Sequence, residues 1–299
     1  MKSRRFLVVG LVLVLSVFLA SSFSVRVSSQ PAVDWTPSFY VYLPLIVQEQ
    51  FTCPASSTNQ YSSGFAIQFD KDDPVRPAVA NAGKNLDLRY YSLNSDPGYI
   101  HGLVNYGSDD PTQPPQFATL FSPSRVPAIP HLYRVNHWVW ASSPDPGYRA
   151  GPIMDYPATS IGLATTPGEV LRVPHSDYDI GGGMEVLVIF ADHNSVALRY
   201  TREDSSGSAG YTLHVDQICT DPNLLALYNV LDDADGPRYE YPNPTYSLVN
   251  LPAGAPIGWA SDTEVVIAIS DTGAFQDPRS CNEWWQIRPG YTGGCPPHE

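Results

Sequence analysis

Proline and glycine interrupt this chain so often that long helices have little room. There are 29 prolines and 22 glycines in 299 residues, and they separate short runs rich in Val, Ile, Leu, Tyr and Trp. Proline removes a backbone donor and fixes φ, whereas β-branched and aromatic residues fit a pleated sheet. The chain therefore reads as mostly β, an antiparallel sheet or sandwich with one short helix.

Residues 1–29 have the layout of a secretory signal peptide. Lys2, Arg4 and Arg5 precede an apolar run from Phe6 to Ala20, and Ser21 and Ser22 follow it. Left uncleaved, the same run would be an N-terminal anchor; cleaved, it leaves no membrane segment. Removing it takes away four basic groups and no acid, so the formal charge moves from −13 to −17. A chain that acidic does not bind nucleic acid by neutralising phosphates, nor an anionic membrane. An exported chain with four cysteines, Cys53, Cys219, Cys281 and Cys295, is expected to form disulfides. Three pairings are open; Cys281 with Cys295 would close a tail loop, and Cys53 with Cys219 would tie the N-terminal part to the core. The cysteines form no C-x-x-C pair, which argues against a cysteine zinc site.

The expected organisation is a linker or extended segment at 30–52, a β-rich region at 53–145, a second β region at 146–290 and a tail at 291–299. "FYVYLPLIV" (39–47) reads as an edge strand or linker, because Pro44 interrupts it. "GFAIQF", "NLDLRYYSL" and "HLYRVNHWVWA" (131–141) read as strands. "GEVLRV" (168–173) and "GYTLHVDQI" (210–218) do likewise, and "MEVLVIFADHNSVALRYTR" (184–202) reads as a hairpin turning at Asp192–Ser195. A helix is predicted over about 222–231. Asp221 caps it, Pro222 suits its first turn, and Leu224, Leu227, Tyr228 and Leu231 share one face.

From about residue 150 to 280 the order of segments resembles the lysostaphin-type (LytM-like) zinc peptidase domain, a β fold also called the duplicated hybrid motif. "GPIMDYP" stands where that family has His-x-x-x-Asp, and "GMEVLVI" with "LRYTR" where it has two strands ending in Tyr-Ala-His. "AGAPIGWA" matches the lead into the last strand, and "EVVIAISDTGAFQDP" matches that strand and its Asp-Pro. The resemblance implies metal ligands at Gly151, Asp155 and Val266, and assisting histidines at Arg202 and Glu264. Of the three ligand positions only Asp155 carries a donor, and arginine is no base at neutral pH. The resemblance thus implies a degenerate site with no cofactor, in a bacterial protein outside the cell or in its envelope. The expected activity is binding or scaffolding, on peptidoglycan, another glycan or an envelope protein.

Two alternatives compete with that reading. One is a working hydrolase, with zinc as its cofactor if it is a metallopeptidase; its candidate residues are Asp155, His175, Asp177, His193 and His214. The other is a carbohydrate-binding or adhesion module using exposed aromatics, with Trp138 and Trp140 as candidates beside Asp155. His175, Asp177 and Asp179 alternate in "PHSDYD" and would share a face in an extended chain, a weak cation site with Asp155 as another weak metal candidate. His131 and His137 lie too far apart along one strand to share a metal. "DDADG" (232–236) lacks the glutamate a calcium loop needs at its twelfth position, where Pro242 stands. Gly181–Gly183 precede a strand rather than a helix, so they read as a turn and not a phosphate cradle.

Overall fold

In the computed structural model, residues 51–67, 78–106, 114–142, 145–233, 247–291 and 295 are described. The signal layout, the 39–47 run and the end of "DDADG" lie outside them. By its internal contacts the chain divides into Met1–Gln48 and Glu49–Glu299, and all the described residues belong to the second unit.

Fourteen strands are present among the described residues: β1 (Ser62–Phe65), β2 (Tyr91–Leu93), β3 (Leu132–Val139), β4 (Tyr148–Pro152), β5 (Ser160–Ala164), β6 (Val170–Arg172) and β7 (Val186–Ala191). The chain continues with β8 (Ser195–Arg199), β9 (Tyr211–Asp216), β10 (Ile218–Thr220), β11 (Ser247–Leu251), β12 (Pro256–Ala260), β13 (Glu264–Asp271) and β14 (Ala274–Phe275). The fold is mostly antiparallel β. Eleven strands form one sheet in the order β1-β11-β7-β8-β9-β13-β5-β3-β2, with β14 on β13 and β4 on β3. The other three form a small sheet, β10-β12-β6.

The large sheet has two unlike faces, and the period-2 pattern of its central strands sets both. Val265, Ile267 and Ile269 of β13, Leu213 and Val215 of β9, and Val196 and Leu198 of β8 point one way. They join Leu171, Ile218 and Ile257 of the small sheet in the main core. Each such side chain, fully buried, contributes about 1.5–3 kcal/mol. The opposite face carries small and polar residues in cross-strand rows. One row is Gly162, Val266, Asp216 and Ser195; the next includes Ala268, His214 and Ala197; a third includes Ser270, Thr212 and Arg199. Leu86, Val135, Ile153 and Phe275 cover part of this polar face. So β7, β8 and the middle of β13 are buried on both sides.

Helix is sparse. α1 (Leu86–Arg89) and α3 (Cys281–Trp284) are single turns, and α2 (Pro222–Asp233) is the one longer helix among the described residues. No helix there is long and apolar enough to cross a membrane. Asp221 caps α2 as expected: its Oδ1 accepts from the backbone N–H of Asn223 at 2.9 Å and Leu224 at 3.4 Å. Leu224 and Tyr228 are buried in the main core, and Leu227 and Leu231 pack against it.

The first half of "NLDLRYYSL" is not a strand. Asn85 Oδ1 accepts from the Asp87 N–H at 3.0 Å and caps α1, so only Tyr91–Leu93 extend. The Gly181–Gly183 turn is as read, with all three glycines at positive φ. Disulfides join Cys53 to Cys219 and Cys281 to Cys295, with Cα atoms 5.4 and 5.5 Å apart. Trp284 and Trp285 belong to the core: both rings lie 5.6 Å from Phe117, and both indole N–H groups donate to backbone carbonyls.

Candidate functional site

Glu264 opens β13 at one end of the polar face. Its Oε1 accepts from the Tyr133 hydroxyl at 2.6 Å, and its Oε2 lies 2.5 Å from His131 Nδ1. Gly162, beneath the carboxylate, makes the room: a Cβ there would strike it. Burial first, then the hydrogen bond to Glu264 and its charge, push the Tyr133 hydroxyl pKa up.

Asp216 stands beside this group on β9. The Tyr91 hydroxyl donates to its Oδ2 at 2.6 Å, the Gln217 N–H donates to its Oδ1 at 2.7 Å, and Gln217 Nε2 donates to the Tyr91 oxygen at 3.2 Å. Burial raises the Asp216 pKa, and the Tyr91 and Gln217 bonds act against that rise. The Tyr91 and Tyr133 rings meet edge to face at 5.1 Å, which connects the two carboxylate clusters.

From Tyr133 a line of rings follows the β2–β3–β4 edge. His131 lies 6.0 Å from Tyr133, and Tyr90 lies 6.1 Å from Tyr91 at an interplanar angle of 14°. Consecutive residues of a regular strand face opposite sides. Tyr90 escapes that rule because its φ is +57°, an uncommon and costly conformation for a bulky residue. The Arg149 guanidinium sits 5.3 Å from the Tyr90 ring, and Arg149 is the cross-strand partner of Trp138. Trp138 and Trp140 meet at 6.2 Å. The Trp138 indole donates to the Pro146 carbonyl at 3.2 Å, over Gly147, whose φ of +101° leaves no room for a side chain. Tyr90 is 56 % exposed and Trp140 46 %, whereas Trp138, Tyr91 and Tyr133 are half-buried. By strand alternation His131 and Tyr133 lie on one face of β3 and Trp138 and Trp140 on the other, with Tyr90 and Arg149 between the two groups.

The positions implied by the peptidase resemblance do not converge. Gly151 lies exposed on β4 with nothing within 4 Å of where a side chain would start, and Asp155 is exposed beyond that strand. Val266 is buried between Gly162 and Asp216. Strand β9 separates β8 from β13, and Ser195, Asp216 and Val266 are level across them. Arg199, the last residue of β8, is level with Thr212 and Ser270, four residues along β13 from Val266, and Arg202 lies beyond that end of β8. Its Nε donates to the Ile180 carbonyl beside the glycine turn. A glycine and a buried valine cannot ligate zinc, so the residues at those positions do not fit that metal.

The histidines and acids that a working hydrolase would use are dispersed. His175 Nδ1 is 3.2 Å from Glu185, which also accepts from the Ser176 N–H and hydroxyl, while Asp179 turns to the Gly181 N–H at 2.6 Å. Asp177 is exposed and His193 lies in the β7–β8 turn. Among the described residues no group of three or more His, Cys, Asp or Glu is placed to hold a metal ion. His214 is buried on the polar face against Phe275, with rings 5.8 Å apart. Burial, and then the Arg89 charge, lower its pKa to about 3 against an opposing hydrogen bond with the Lys84 backbone, so it is neutral.

Sequence reasoning found Trp138, Trp140 and Glu264 but passed over Tyr90, Tyr91, Tyr133 and Asp216. The available signals were the Tyr90–Tyr91 doublet and the placement of Tyr133 two residues after His131. No known protein family, curated protein or solved structure matches the chain.

Proposed function

We propose that this chain is an exported binding protein of the cell envelope, and that its ligand is a carbohydrate chain such as the glycan of peptidoglycan. The observation that carries the reading is the run of aromatic side chains along β2 and β3: Tyr90, Tyr91, Tyr133 and His131 follow one another in ring contact, Arg149 stands between Tyr90 and the Trp138–Trp140 pair, and His131, Tyr90 and Trp140 are exposed. Aromatic faces accept the C–H faces of sugars, and rings with polar tips suit a surface that is apolar on one side and wet on the other. At one end Glu264 and Asp216 accept from the Tyr133 and Tyr91 hydroxyls, which fixes the orientation of those two rings. The signal layout and two disulfides fit the oxidising space outside the cell. The reading is binding without cleavage, because both carboxylates are already engaged by protein donors.

Sedimentation of purified protein with peptidoglycan sacculi, and titration with soluble chitooligosaccharides, test this. The full chain is expected to bind, and the Trp140→Ala/Tyr90→Ala double variant to lose at least ten-fold in affinity with its thermal midpoint unchanged. Unaltered binding by the double variant would refute the role of the ring line. Steady release of soluble fragments from sacculi would overturn the non-catalytic reading.

A further inference from the structure

The outer face of the small sheet lies under a second feature, a walled cavity. Val170, Arg172 and Trp259 share that face with Cys219, since Trp259 pairs with both Val170 and Cys219. The segment Cys53–Asn59 crosses it. Its disulfide fixes one end to β10, and the Asp221 carboxylate fixes the other, accepting from Ser57 Oγ and Asn59 Nδ2 at 2.7 Å each. Asn223 Nδ2 donates to the Ser57 and Asn59 carbonyls, and the Tyr61 hydroxyl donates to the Pro256 carbonyl at 3.1 Å. The segment is therefore a fixed wall. Between it and the sheet lies a cavity of about 500 Å³, within the range of small-molecule sites.

The cavity's chemistry is specific. Arg172 lines it, and its guanidinium has one protein acceptor among the described residues, the Gly254 carbonyl, 3.0 Å from Nη1. Nε is buried without a partner, and no carboxylate pairs with the group among those residues. In so acidic a chain, an arginine left without an acid beside a cavity is arranged for an acid from outside. The half-buried Trp259 offers a flat apolar surface, and the Ser56 and Thr58 hydroxyls stand on the wall. We propose that this cavity binds a sugar carrying a carboxylate. The acid would meet Arg172, the ring would lie on Trp259, and the ring hydroxyls would bond Ser56 and Thr58.

The test is titration of the full chain with glucuronic acid, glucose and acetate at neutral pH, followed by two-dimensional NMR. Glucuronic acid is expected to bind at least ten-fold more tightly than either glucose or acetate, with the largest shift at the Trp259 indole. Arg172→Gln is expected to reduce glucuronic acid to the level of glucose. Thr58→Asp, an exposed change that supplies Arg172 with an internal acid, is expected to abolish the binding without touching the core. Equal affinity for glucose and glucuronic acid would overturn the proposal, as would acetate binding as tightly as the sugar acid. Unchanged binding in Thr58→Asp would overturn it too. The Trp140→Ala/Tyr90→Ala variant is expected to bind glucuronic acid normally, so failure of the ring-line reading and failure of this one are separable.

Discussion

Asp221 is the residue on which two parts of this fold depend, and its replacement by alanine gives a quantitative test. The carboxylate is fully buried and bonds four donors: two backbone N–H groups of α2, the Ser57 hydroxyl and the Asn59 amide. Loss of an N-cap costs about 1 kcal/mol. Each hydrogen bond to a charged acceptor contributes about 1.5–3 kcal/mol. Ser57 and Asn59 are only half-buried and turn to water when released, so the lower end of that range applies to both. Asp221→Ala is therefore expected to cost about 4 kcal/mol in all, a fall in thermal midpoint of roughly 8–16 °C for a unit of this size. The assay is urea unfolding with the disulfides intact, followed by tryptophan fluorescence. Ser57→Ala/Asn59→Ala removes the clamp but not the cap and is expected to cost about 1 kcal/mol less. A loss under 1 kcal/mol in Asp221→Ala would refute the reasoning. Equal losses in the two variants would refute the part assigned to the cap.

Two further predictions concern the polar face of the sheet. His214 is held neutral with its pKa lowered to about 3, whereas an unfolded histidine titrates near 6.5. Only the unfolded chain takes up this proton as pH falls from about 6.5 towards 3, so stability conferred by the neutral form is lost in that window, by about 5 kcal/mol in order of magnitude. His214→Leu should flatten that part of the stability–pH curve, and an unchanged acid slope in urea titrations from pH 7 to 4 would count against it. Lys84 and Asp204 form a buried ion pair at 3.2 Å. Lys84→Met removes the lysine's share of the pairing and should destabilise the fold by more than about 1 kcal/mol, of which adding Asp204→Asn recovers part. A cost below 1 kcal/mol for Lys84→Met in urea unfolding would show that the pair is not held as described.

What the sequence disclosed was local. Alternation in "YTLHVD" and "EVVIAISD" gave β9 and β13, the Asp192–Ser195 cluster gave the hairpin turn, and the leucine spacing with Asp221 gave α2, because neighbouring residues determine each of these. In "NLDLRYYSL" alternation misled, since Asn85 is a helix cap that the strand pattern concealed. The ring line draws on residues 90, 91, 131, 133, 138 and 140, and only the pairing of β2 with β3 assembles it. Glu264 and Asp216 become neighbours through β9 pairing with β13, a register the sequence does not state. The register of β8, β9 and β13 levels Ser195 with Val266 and so leaves Arg202 beyond the far end of β8, although their segments follow each other in the expected order. Both disulfides were among the pairings open from spacing alone; the choice required β10 to lie under the Cys53 segment.

That Cys53–Cys219 link, between residues 166 apart in the chain, has a mechanical consequence. A pull applied upstream of Cys53 would otherwise arrive first at β1, an edge strand of four residues that would unzip one pair at a time. The sulfur bridge diverts the force into β10, and through Gln217 directly into β9, at the middle of the large sheet. A pull that enters there loads the middle of the large sheet and leaves β1 outside its path.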